Sequence, residues 1–161
     1  MSYREISIFH AGMNIDQIRR LLMENLLNTL VLERYYSIEI NGAKLQKAIE
    51  LKRQNALLFE LVMKAPDLES LGLPPTAIRK IELTDEMKPK FAVDTTKLSL
   101  KAGIILISRM NQVNFRLYRS IINFAQNCKK VLFNGVESGA TYNKSGNLKS
   151  YEGHLQVNLK A

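Results

Sequence analysis

The sequence has almost none of the cysteine that cross-links small folds through disulfides or metal sites. Cys128 is the single cysteine, so no internal disulfide can form and no CxxC metal or redox pair exists. This usage is typical of a reducing compartment, and we interpret Cys128 as a small core residue. Tryptophan is absent and only four prolines occur in 161 residues, which leaves room for long regular elements.

Long apolar runs are also missing. The N-terminal stretch "MSYREISIFHAG" has no apolar signal-peptide core, and the longest run, "GIILIS", is far too short to span a bilayer. The length is that of one domain, and the hydrophobic fraction of 46% is ordinary for a soluble globular protein. We therefore expect a cytoplasmic protein with no membrane insertion.

The motifs of common enzyme classes are lacking as well. The sequence contains no Walker loop, no GxSxG, no HExxH and no glycine-rich strand-to-helix turn. His10 and His154 lie near opposite ends, and the acidic "TDEM" at residues 84–87 lacks the other ligands of a Ca²⁺ or Mg²⁺ loop. We expect no enzymatic activity, no cofactor and no metal site.

Positive charge is concentrated in the C-terminal part. Residues 1–95 carry thirteen Lys and Arg against thirteen Asp and Glu, whereas residues 96–161 carry ten against two. Such an asymmetry is compatible with binding to nucleic acid, with binding to an acidic partner or with a role in solubility alone. Because no RNP aromatic pattern, GXXG loop or zinc-finger spacing accompanies it, we expect no nucleic-acid binding. A basic helical nucleic-acid-binding protein stays open as the alternative from another class.

Two helices are predicted in the first 64 residues. Asn14 and Gln17 have the spacing of a capping box, and apolar residues then recur every three or four positions to about Tyr36. A turn at residues 41–42 leads into a second helix that ends near Lys64. Residues 65–94 hold all four prolines and predict a long connection, in which only "PTAIRKIEL" favours a short helix.

The third predicted helix carries the strongest pattern. Its seam positions alternate at spacings of four and three: Leu100, Ile104, Ile107, Asn111, Asn114, Tyr118, Ile121, Ala125, Cys128 and Leu132. The helix should run from Thr96 to Leu132, capped by Thr95 or Thr96, and span about 55 Å. These elements predict a mainly α fold, an antiparallel three-helix bundle or coiled coil with a long C-terminal helix.

Two amides interrupt this seam. A buried asparagine costs stability but fixes register and partner, because a wrong neighbour would leave its amide without hydrogen bonds. We therefore interpret Asn111 and Asn114 as the border between a seam half that packs within the chain and a half that receives a partner. A solvated or water-bridged pair is the alternative.

The C-terminal residues predict little regular structure. Glycines with interleaved Asn and Ser predict a flexible basic tail over 134–161, leaving 1–133 as the helical domain. Apolar residues alternate in "REISIF" and "HLQVNL", so the chain ends can pair into a small β element.

Three segments, in this order, resemble the FlgN family of flagellar export chaperones. "INGAKLQKAIELKRQNALLFEL" (40–61) is similar to the opening of that family's second helix, and "MNQVNFRLYRSI" (110–121) to its third-helix motif. "ATYNKSGNLKS" (140–150) is similar to its tail, a tyrosine followed by polar and glycine residues.

The resemblance implies a cytosolic helical chaperone of type III secretion in flagellum biogenesis. Its partners would be the C-terminal helical region of hook-filament junction proteins and the cytosolic domain of the export gate. The implied substrate-protein-binding residues are Asn111, Asn114, Leu117, Tyr118, Ile121, Ile122 and Ala125. Tyr142 matches the tail tyrosine that docks on the gate. The alternative within this class is a chaperone or co-chaperone acting on flagellin or on the flagellin chaperone.

Overall fold

A computed structural model of the chain describes residues 3–7, 12–72, 78–87, 94, 98–137, 139–142 and 148–151. The α-helices in these residues are α1 (Ile15–Ile38), α2 (Gly42–Lys64) and α3 (Leu100–Glu137). The strands are β1 (Tyr3–Ser7), β2 (Arg79–Leu83), β3 (Gly139–Tyr142) and β4 (Leu148–Tyr151), and a 3-10 turn spans Glu69–Leu71. The chain divides into two compact units, Met1–Arg116 and Leu117–Ala161, and the boundary falls within α3. A mainly helical fold is thus confirmed.

Local sequence signals set the starts of α1 and α2. The Asn14 side chain accepts a hydrogen bond from the Gln17 backbone N–H at 2.8 Å, and the Gln17 side chain accepts from that of Asn14 at 2.9 Å. The predicted capping box is therefore confirmed. The Asn41 side chain likewise accepts from the backbone N–H of Lys44 at 3.2 Å and caps α2.

The turn between α1 and α2 holds a strained residue. The backbone N–H of Asn41 donates to Tyr36 and that of Ile40 donates to Ser37, the bonding pattern of a Schellman motif. Ile40 occupies the left-handed position of this motif with φ 53°, where glycine is usual. A β-branched side chain there costs about 1–2 kcal/mol.

α1 and α2 pack antiparallel and hold most of the core. The Arg19 guanidinium donates to the carbonyls of Val62 and Ala65, whereas Lys52 reaches Glu33, so contacts run in opposite chain directions. One apolar cluster consists of Ile18, Leu21, Leu22, Val62 and Ile78. The other consists of Val31, Leu32, Tyr36, Ala48, Leu51, Ile81, Leu83 and Met87.

Strand β2 corrects one prediction and bears on a second. Residues 79–83 of "PTAIRKIEL" form a strand, so the predicted short helix is wrong there. β2 pairs antiparallel with β1, with Tyr3 opposite Leu83 and Ser7 opposite Arg79. A small β element involving "REISI" is therefore confirmed, but its observed partner is β2. The predicted partner "HLQVNL" (154–159) lies outside the described residues.

The other edge of β2 is covered by amides of α1. Asn25 donates to the Arg79 carbonyl at 2.6 Å and accepts from the Ile81 N–H at 2.8 Å, and Asn28 donates to the Ile81 carbonyl at 2.7 Å. Asn55 joins this cluster by accepting from Asn25 at 3.0 Å. Side chains of a helix thus replace a third strand and satisfy the strand's backbone groups.

The long helix α3 is shifted toward the C-terminus relative to the prediction. It begins at Leu100, and the Ser99 hydroxyl accepts from the backbone N–H of Ala102, so Ser99 caps the helix. The predicted caps Thr95 and Thr96 lie outside the described residues. α3 continues through Glu137, and β3 and β4 then pair antiparallel with Gly139 opposite Tyr151. The predicted boundary after residue 133 and the flexible tail stay predictions.

No helix in the described ranges is both long and apolar enough to cross a membrane.

Candidate functional site

The two seam asparagines have different environments. Asn114 is 2% exposed, and its side-chain amide donates to the Leu30 carbonyl and to the Glu33 carboxylate, both at 2.9 Å. Asn111 is exposed and accepts a hydrogen bond from Lys52 at 3.2 Å. Only Asn114 therefore has the geometry of a buried register residue.

Glu33 is the centre of a polar network that joins three helices. Its carboxylate is 1% exposed and receives the Lys52 ammonium at 2.6 Å and the Asn114 amide at 2.9 Å. A buried carboxylate without partners would be very costly, so these donors compensate for its burial. Since Lys52 also bonds Asn111, α1, α2 and α3 are tied together at one point.

This network was not predicted from the sequence. Glu33 and Lys52 belong to different helices, and in the sequence each looks like an ordinary solvent-exposed polar residue of its helix. Only the antiparallel pairing of α1 with α2 brings them together. The one available signal was that Glu33 follows three apolar residues, 30–32, on a strongly apolar helix.

A close approach holds the first half of α3 against α1. Gly103 is buried, and a Cβ atom there would overlap the Met23 sulfur. Met23 is itself fully buried and has little room to move. Gly103 and Asn114 thus fix α3 to α1 at two points about three helical turns apart.

Beyond Arg116, α3 leaves large apolar side chains exposed. Phe124 is 70% exposed and Val131 74%, while Ile122 and Leu132 are also exposed. These residues lie on the seam and on its two flanks, and large exposed apolar side chains around one seam are typical of a helix that receives another helix. Among the predicted partner-binding residues, Leu117, Tyr118 and Ile121 are half-buried, and Ile122 and Ala125 are exposed.

Phe124 and Val131 were missing from the predicted site. They lie seven residues apart and next to the seam positions Ala125 and Leu132, so helical periodicity could have identified them. Together with Ile122 and Leu132 they form what we call the distal apolar face. Both predicted asparagines lie in the first unit. Asn111 is exposed and accessible to a partner, whereas Asn114 is buried.

In the second half of α3, the side opposite the seam is polar. Arg116, Asn123 and Lys130 follow one another at intervals of seven residues and are exposed. In sequence, α3 carries six Lys and Arg, and its only acidic residue is Glu137 at the end. The second half of the helix is therefore amphipathic and basic.

Tyr142, the predicted gate-docking residue, is the last residue of β3 and lies opposite Leu148 of β4. Its backbone therefore belongs to the antiparallel pair of β3 and β4.

Models of known protein families, curated proteins and solved structures were compared with the chain, and none matches.

Proposed function

We propose that the protein is a cytosolic flagellar type III export chaperone. It binds the C-terminal helical region of hook-filament junction proteins, keeps them monomeric and export-competent, and delivers them to the export gate. The observation that carries the proposal is the distal apolar face, with Phe124 and Val131 mostly exposed on a basic amphipathic helix. The resemblance of three ordered segments to the FlgN family supports the choice of partner.

The size of this face suits a releasable complex. Burying a large apolar side chain completely contributes about 1.5–3 kcal/mol. Since Ile122, Phe124, Val131 and Leu132 are each at least half exposed, covering them contributes several kcal/mol before the costs of association. A chaperone must release its cargo, and such a balance favours moderate affinity.

The proposal includes a bundle of the three helices. The antiparallel packing of α1 on α2 supports this arrangement, as do the contacts of α3 with α1 at Gly103 and Asn114. The bundle would hold α3 steady from its start, so that the distal apolar face belongs to a pre-formed helix. Pre-formed helical structure lowers the ordering cost of binding.

Co-expression tests the choice of partner. The chain and a C-terminal helical region of a junction protein should elute together in size-exclusion chromatography, and the partner should remain monomeric. If no complex forms with junction proteins but one forms with flagellin or the flagellin chaperone, the alternative within the chaperone class is correct.

The gate contact has a separate test. Tyr142→Ala should leave junction-protein binding unchanged and weaken binding to the cytosolic domain of the export gate. Equal loss of both activities would show that Tyr142 stabilises the hairpin instead.

The positive charge of α3 supports a second candidate, nucleic-acid binding. Its six exposed cations include Arg116, Arg119 and Lys130. Binding through phosphate contacts falls by orders of magnitude between low and moderate salt. Binding to the distal apolar face should change little over the same range, so a salt titration with DNA and with a junction-protein helix separates the two candidates.

A further inference from the structure

A cavity of about 350 Å³ lies between α1, α2 and the first half of α3, within the first unit. Its apolar lining comes from all three helices: Leu26, Leu30, Ala56, Phe59, Ile104 and Ile107. Leu26 and Leu30 are buried and form its floor, whereas Ala56 and Ile104 are exposed at its mouth. The volume is at the small end for binding pockets and suits a few apolar side chains rather than a large ligand.

The contacts of α3 explain why this space stays open. Gly103 brings α3 close to α1 at Met23, and Asn114 fixes it to Leu30. Lys52 of α2 reaches α3 through its long side chain, which bonds Asn111, and both residues line the cavity. α3 therefore rests on α1 and leaves a gap beside α2.

On the same side of α2 as the cavity lies a stripe of exposed apolar residues, and we call the cavity mouth and this stripe together the groove. Ile49, Ala56 and Met63 are exposed and follow one another at intervals of seven residues, with Phe59 of the cavity wall between them. Positions seven apart share one face of a helix. An amphipathic helix presents anchors at matching intervals, so it is the kind of ligand that fits this groove.

The charges at the groove select among such helices. Lys52 and Arg53 line the cavity, and none of its described lining residues is acidic. Lys52 is already paired with Glu33, but Arg53 is largely exposed and meets Glu50 only at 4.0 Å. A carboxylate beside the groove is thus favoured, while the basic α3 of a second copy is disfavoured.

We propose that this groove binds an amphipathic helix of a partner protein whose apolar anchors enter the cavity and whose acidic flank faces Arg53. The inference rests on the proposed function in taking the partner to be the exported protein. It adds a second contact in the first unit and specifies acidic residues in the bound segment.

A designed peptide tests the inference on the full chain. The probe is a fluorescent helical peptide of about 18 residues with leucines every three or four positions and flanking glutamates. A matched peptide has lysines in place of the glutamates. Fluorescence anisotropy should show at least about tenfold tighter binding of the glutamate peptide, and equal binding would overturn the inference.

Substitutions locate the binding. Ala56→Trp fills the cavity mouth and should weaken binding of the glutamate peptide at least about tenfold. Gln46→Trp, an exposed position of α2 outside the cavity, is the matched control and should leave binding unchanged. Arg53→Glu alters only an exposed side chain, so it should fold normally and favour the lysine peptide. An unchanged affinity in both Ala56→Trp and Arg53→Glu would contradict the groove.

The distal apolar face is tested in parallel. If Ala56→Trp binds the peptide normally while Phe124→Glu no longer binds the junction protein, the groove inference is overturned and the proposed function stands. If Ala56→Trp no longer binds the peptide or the junction protein and Phe124→Glu still binds both, the groove inference stands and the distal apolar face does not bind the partner.

Discussion

The Asn114→Ala substitution removes both hydrogen bonds by which α3 is attached to α1 in the polar network. The Asn114 amide donates to the Glu33 carboxylate and to the Leu30 carbonyl at 2.9 Å each, and both hydrogen bonds are buried. A hydrogen bond to a charged group contributes about 1.5–3 kcal/mol and a neutral one about 0.5–1.5 kcal/mol. Glu33 keeps Lys52 as a donor, so we expect a loss of about 3 kcal/mol in the free energy of unfolding.

Urea unfolding followed by the helical circular dichroism signal measures this loss. Asn111→Ala is the matched control, because it removes an amide one helical turn away whose bond to Lys52 is exposed. It should cost less than about 0.5 kcal/mol. Combining Asn114→Ala with Glu33→Gln should show a coupling energy well above the error of the measurement. If Asn114→Ala costs no more than Asn111→Ala, the network does not fix α3.

Three further substitutions test individual features of the fold. Gly103→Ala should lower the free energy of unfolding by about 1–2 kcal/mol, because the new methyl group collides with the buried Met23; a gain in stability would contradict the close approach. Ile40→Gly should raise it by about 0.5–1 kcal/mol by relieving the positive φ of an 80% exposed side chain, and a lower melting temperature would refute the strain. Asn25→Ala should cost about 3 kcal/mol and speed hydrogen exchange at the Ile81 amide, whereas unchanged exchange would show that the strand edge does not depend on Asn25.

Features that depend on neighbouring residues were predictable from the sequence. The capping box of α1, the Asn41 cap of α2 and the end of α2 at Lys64 all follow from side chains within a few positions of the helix end. The start of α3 was predicted too early because two threonines offered plausible caps. The cap that the structure shows is Ser99.

Features that depend on distant residues were not predictable. The strand β2 was interpreted as a helix because its proline-led start favours one, yet its backbone is held by Asn25 and Asn28, more than fifty positions earlier. In the sequence, the apolar Ile81 and Leu83 alternate with the charged Lys80 and Glu82, and this alternation was a usable strand signal. The environment of Asn114 likewise depends on Glu33, which belongs to another helix. The heptad spacing of α3 therefore identified Asn114 as an unusual seam residue, but it could not identify Glu33 as its hydrogen-bond partner.

The central claim is that the distal apolar face binds the C-terminal helical region of a junction protein. Isothermal titration with Phe124→Glu and Asn123→Glu tests it most directly, because the two variants add the same charge to adjacent exposed positions on different sides of α3. We expect Phe124→Glu to weaken binding at least about tenfold and Asn123→Glu to bind like the unchanged chain. Equal affinities for the two variants would contradict the claim.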